Sequence, residues 1–99
     1  MPAYLIVLRR ITDRVVFDEY RAKVGPVIAQ FGGRFLTRAG SHEVIESMGW
    51  RPEGVAIIEF PDMATLDAWY ASPDYAPLKA LRDASVDLTR EVLIKVDGA

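Results

Sequence analysis

Three segments of the chain carry apolar residues on both faces of an extended backbone. No other feature constrains the fold as much. Side chains two apart on a strand share a face. In AYLIVL (residues 3–8), Leu5 and Val7 lie on one face and Tyr4, Ile6 and Leu8 on the other. In VAIIEF (55–60), Val55 and Ile57 oppose Ala56, Ile58 and Phe60. In REVLIKV (90–96), Val92, Ile94 and Val96 oppose Leu93. An antiparallel sheet with one wet face alternates apolar and polar residues. These strands need cover on both sides, or they leave an exposed patch that monomers rarely tolerate.

Helices can supply one cover. After a capping Thr12-Asp13, apolar residues recur at Val16, Tyr20, Val24, Val27, Ile28 and Phe31, which is helical spacing. Gly25-Pro26 interrupts this segment, yet the period continues, so the pattern predicts one kinked helix. Gly32-Gly33 stops it. RFLTR (34–38) reads as a second strand; Ala39-Gly40-Ser41 as a bend; HEVIES (42–47) as resumed extension; and residues 48–54 as a loop. Pro61-Asp62 caps a short helix, MATLDAWYA. Ser72-Pro73 then opens another helical segment, with serine as cap and proline at its first position.

The order is β-α-β-β-α-β, which predicts an α+β fold. It is a ferredoxin-like protomer with a four-stranded antiparallel sheet and the helices on one face. The chain of 99 residues fits one domain, spanning 1–99. The second sheet face is then left for another copy, joined sheet to sheet with two-fold symmetry. The alternative is a monomer with a half-exposed apolar sheet.

Composition excludes several functions. There is no cysteine, which removes disulfides, thiolate nucleophiles and Cys-based metal sites. The net charge of −2 offers no basic excess for nucleic acid. No apolar run approaches the roughly 20 residues of a membrane span. The amino terminus MPAYLIVLRR reads as a strand, not a signal peptide, so the expectation is a soluble cytoplasmic protein. Gly32-Gly33-Arg34 lacks the lysine–serine step of a phosphate loop. The serines lack the glycine flanks of a nucleophile elbow.

FGGRFLTRAG, DEYRAKVGPVIAQFGG and VAIIEFPDMATLDAWYASPDYAPLKALR together cover most of the chain. In this order they resemble a bacterial family known as domain of unknown function 1330. The resemblance implies the dimeric α+β barrel superfamily, in which ferredoxin-like protomers join through their sheets. It implies no activity. Ala39 departs from the glycine expected before Gly40, and the segment around Met48-Gly49-Trp50 is longer than expected; the bend should survive, and any pocket rim built by that loop should differ from relatives.

Candidate site residues follow from chemistry. Arg34 and Arg38 share a strand face and could bind a carboxylate or phosphate through paired hydrogen bonds. They could equally serve salt bridges to Glu46, Glu59 or a partner chain. His42, the sole histidine, could carry a proton near neutral pH, or be a solvated bend residue. It cannot make a metal site alone. Tyr20, Tyr70 and Tyr75, with Trp69, either pack as core or line a pocket between sheet and helices; only one of Trp69 and Tyr70 can face the sheet. No cofactor is expected.

Three readings remain open. The first is a homodimer binding a small, partly apolar molecule, with Tyr20, Arg34, Arg38, Tyr70 and Tyr75 around it and the arginines suited to an anionic group. The second is a cofactor-independent isomerase or oxygenase, with His42 as base or proton shuttle. The third is a purely structural dimerisation module.

Overall fold

A computed structural model describes residues 1–99. β1 (Ala3–Arg9) is followed by α1 (Arg14–Gln30), β2 (Arg34–Phe35), β3 (Gly54–Phe60), α2 (Met63–Tyr70), α3 (Ala76–Asp83), a 3-10 turn (Leu88–Arg90) and β4 (Val92–Asp97). The four strands form one antiparallel sheet in the order β2-β3-β1-β4. This is the ferredoxin-like α+β arrangement that the pattern predicts. Its second helical unit is divided into α2 and α3.

The two faces of the sheet differ in what covers them. Ala3, Leu5 and Val7 of β1 and Ile58 and Phe60 of β3 are buried beneath the helices. α1 presents Phe17, Tyr20, Val24 and Ile28 to them, at the 3–4 residue spacing of one helix face. Leu66 and Trp69 of α2 close the other end of the core. Each large apolar side chain buried in this way contributes about 1.5–3 kcal/mol. The opposite face carries Tyr4, Ile6 and Leu8, with Ile6 directly opposed to Ile57 and Ile94. No element covers it, and Ile94 and Val96 remain exposed.

α1 runs unbroken through Gly25-Pro26. Proline there lacks the N–H that would reach the Ala22 carbonyl. Pro26 and Ala22 are both exposed, so the gap in the hydrogen-bond ladder falls on the solvent side of the helix. Asp13 caps the helix by accepting from Val16 N at 3.2 Å. Phe17, which joins the buried face, was not among the apolar positions assigned to this helix from the sequence.

Two local expectations are corrected. The second strand ends at Phe35, and residues 36–53 form a loop, so HEVIES is not a strand. The Thr37 hydroxyl takes the Ile57 N–H at 3.2 Å, replacing a backbone partner and ending the ladder. Gly40, at φ +77°, then turns the chain. Ile45 beyond it is almost fully exposed and has no core to hold a strand in register. The second correction concerns Ser72-Pro73, which lies in a turn before α3. The Ser72 hydroxyl does accept from Tyr75 N at 3.2 Å, but regular helix begins at Ala76, with Pro77 in its first turn.

Candidate functional site

Between α1 and the sheet lies a cavity of about 520 Å³. Its lining comprises 22 residues, of which 15 are hydrophobic, so it suits an apolar body. Leu5, Val7, Ala56 and Ile58 form the sheet side; Phe17, Tyr20 and Val24 form the helix side. Phe35, Thr37, Ala39 and Gly40 bring the start of the long loop to the rim. Trp69 and Tyr75 close one wall.

The titratable lining groups are Arg9, Arg14, Arg21, Tyr20, Tyr75 and Glu53. Arg9 follows Ala3, Leu5 and Val7 on the buried face of β1. Its guanidinium lies 5.2 Å from the centre of the Phe17 ring and 5.8 Å from that of Tyr20. Gly54 is its cross-strand neighbour, and the absence of a side chain there makes room for the Arg9 stem. Glu53 accepts the Ile11 N–H at 3.0 Å.

A buried ionic network stands behind this wall. Arg9 donates to Glu91 through Nε and Nη2, at 3.1 and 2.9 Å. Arg82 Nε lies 3.4 Å from the same carboxylate, and Arg82 Nη2 donates to Asp83 at 3.1 Å. All three side chains of the Arg9–Glu91–Arg82 group are more than nine-tenths buried. Burial pushes the Glu91 carboxyl up, while the two guanidiniums pull it back toward the ionised form. Burial also works against the charge on Arg82, but Tyr75, Asp83 and Glu91 outweigh it and hold its pKa above the usual value.

Arg82 Nη1 donates to the Tyr75 hydroxyl at 3.1 Å, and that hydroxyl lies 3.0 Å from the Tyr20 hydroxyl. Burial raises the pKa of both tyrosines, most of all Tyr75. Trp69 packs against Tyr75 with ring centres 4.3 Å apart and the rings tilted by 41°. Its indole Nε1 is buried without a hydrogen-bond partner.

Of the residues proposed from the sequence, Tyr20 and Tyr75 line the cavity and touch each other. Tyr70 is exposed behind Trp69 and Tyr75 and is not part of the lining. Trp69, not Tyr70, faces the core, as their adjacency requires. Arg34 pairs with Glu59 on the opposite sheet face, at 2.9 Å. Arg38 is exposed in the bend, where its carbonyl accepts from Ser41. His42 is exposed, with Nε2 2.8 Å from the Pro52 carbonyl oxygen, and is not part of the lining.

Arg9, Arg82 and Glu91 are not among the site residues that the sequence suggests. Period signals mark each of them. Arg9 shares the two-residue repeat of Leu5 and Val7. Glu91 lies on the face of Leu93. Arg82 lies one helical turn after Leu78. No group of three or more His, Asp or Glu side chains is positioned to hold a metal ion. No helix is long and apolar enough to cross a membrane.

A family model described as domain of unknown function (DUF1330) matches residues 2–97. Among solved structures, a protein of unknown function from Rhodopseudomonas palustris aligns with a TM-score of 0.81 at 21% identity, over 99% of this chain and 82% of that one. A dimeric ferredoxin-like protein of unknown function from Jannaschia sp. CCS1 aligns at 0.73 and 17%, over 99% and 100%. SnoaB, a cofactor-independent oxygenase from Streptomyces nogalater, aligns at 0.66 and 11%, over 99% and 93%. At these identities the likeness is one of fold. No curated protein matches the chain.

Proposed function

The chain belongs to the DUF1330 family, and on that premise we propose that it is a homodimer that binds a small, largely apolar molecule between α1 and the sheet. The cavity of about 520 Å³ carries this reading. Its volume falls within the roughly 300–1,000 Å³ of ordinary ligand sites, and its mostly apolar lining meets a few convergent polar groups. Tyr20 would touch the ligand, with Tyr75 behind it through the paired hydroxyls. Arg34, Arg38 and Tyr70 lie outside the lining and would act at the dimer seam or on the surface.

The dimer reading rests on the uncovered sheet face. Tyr4, Ile6, Leu8, Ile57 and Ile94 form a continuous apolar patch there. A second copy packed against it would remove this patch from water. The dimeric state of the Jannaschia protein, which shares the fold, is consistent with that arrangement.

Binding is preferred to proton transfer because of what lines the cavity. Its guanidinium groups are donors only and carry no acceptor, and its tyrosines are held protonated by burial. Glu53 is engaged with the backbone of Ile11. His42 would have to leave the Pro52 carbonyl to act as a base or shuttle.

Native mass spectrometry of the purified protein tests the proposal. The expected result is a dimer that carries a reproducible added mass, or takes one up from a panel of small aromatic molecules. A dimer that binds nothing would leave only a dimerisation module. A monomer at micromolar concentration would remove the sheet-to-sheet assembly.

A further inference from the structure

The polar groups facing the cavity are overwhelmingly donors, and their order can be worked out. The Tyr75 side chain is fully enclosed. Its oxygen already accepts from Arg82 Nη1, and the only other group in reach is the Tyr20 hydroxyl. A buried O–H with no acceptor is costly, so the Tyr75 proton is directed at Tyr20. Tyr20 thereby has its acceptor side filled, and its own proton is free for the cavity. The chain runs one way: Arg82 to Tyr75 to Tyr20 to whatever occupies the space. A charged donor at its start strengthens each bond along it.

A second observation lies on the same wall. Arg9 uses Nε and Nη2 on Glu91, which leaves Nη1 uncommitted beside the rings of Phe17 and Tyr20. Arg14 and Arg21 also line the space, with Arg14 4.0 Å from Asp18.

We infer that the cavity is a receptor for a flat apolar ring carrying an oxyanion, of the aromatic carboxylate class. Tyr20 and the uncommitted Nη1 of Arg9 donate to its oxygens. This deepens the binding reading above and rests on it. Burial keeps both tyrosine hydroxyls protonated, so they remain donors across the ordinary pH range.

The test compares two probes of equal shape, 2-naphthoate and 2-naphthamide, by calorimetry. The amide replaces one acceptor oxygen with an NH2 donor. The expected result is that 2-naphthoate binds at least about tenfold more tightly, the scale of a hydrogen bond to a charged group. Tyr20→Phe should then weaken 2-naphthoate by about tenfold and 2-naphthamide by less than about twofold. Arg9→Lys keeps a charge beside Glu91, removes the Nη1 donor and should act in the same direction. Should one variant fail to fold, the other still reads the effect. Equal binding of the two probes, with selectivity untouched by either substitution, would overturn the inference and leave a plain apolar binding protein. If neither probe binds and native spectrometry finds no adduct, both the inference and the binding reading fall.

Discussion

A methyl group added to Gly54 would lie 2.6 Å from the Cγ of Arg9, its partner across β1 and β3. The charged residue at the end of β1 can therefore lie across the sheet under α1 only because β3 begins with glycine. The stem then carries the guanidinium to Glu91, 82 positions away, and to the rings of Phe17 and Tyr20. A backbone position in one strand thus sets the polar wall of the cavity.

Gly54→Ala should displace Arg9 and destabilise the fold by about 1–3 kcal/mol, as overpacking does. Urea unfolding measures that loss. An unchanged midpoint, with Arg9 still paired to Glu91, would show that the stem has room to move aside.

The Arg9–Glu91 pair makes a sharper demand. Removing one partner leaves the other charge buried, so Glu91→Ala should cost about 3–5 kcal/mol. The double replacement Arg9→Met with Glu91→Leu leaves neither of this pair's charges behind and should recover more than half of that loss. A double variant no more stable than Glu91→Ala would mean that packing, not charge pairing, dominates at this site.

Alkaline titration should separate the buried tyrosines. Both have folded-state pKa values raised above 10. A raised value contributes stability that is complete below pH 10 and is lost as pH climbs through the folded-state value. Absorbance of tyrosinate near 295 nm should show Tyr20 and Tyr75 ionising only as the circular dichroism of the fold is lost. Ionisation of either one in a still-folded protein at pH 10 would contradict the enclosed hydroxyl pair.

The N-cap of α2 responds at the other end of the scale. The Asp62 carboxylate accepts from Thr65 N and Thr65 Oγ1, both at 2.7 Å. These bonds hold its pKa below 3.8. Its stabilisation is complete above pH 3.8 and is lost as pH falls through the depressed value. Asp62→Ala should lower the melting temperature at pH 7, and the difference from the parent protein should narrow as pH falls below 3.8. A gap that stays constant with pH would rule out the charged cap as its source.

Ile94 probes the assembly. It is half-exposed and directly opposes Ile6 on the uncovered sheet face. Ile94→Lys should leave the protomer folded but convert the proposed dimer to monomer, as read by light scattering. A lysine variant that remains dimeric would move the interface elsewhere.

Local sequence pattern reached most of the architecture. β1, β3 and β4 follow from short, β-rich apolar runs, and α1 from its helical spacing and the Asp13 cap, because each depends on neighbours within a turn or a strand. The long loop after Phe35 was misread, because Val44 and Ile45 have β-forming side chains but no buried face to sit on. The site was legible only in part. Tyr20 and Tyr75 announced themselves as large amphipathic rings on helical segments, whereas Arg34, Arg38 and His42 drew notice by their chemistry and lie outside the cavity.

What the sequence determined by itself is the order of elements and the existence of two apolar sheet faces, since both are read from residues adjacent in the chain. Only the tertiary structure decided that Arg9, Arg82 and Glu91 are buried together and that the Tyr20 hydroxyl meets that of Tyr75. Each charge alone would stay in water, because desolvating it is too costly. Burial becomes tolerable only when chain closure brings the partners within hydrogen-bonding distance, and the partners lie too far apart in sequence for any local pattern to reveal.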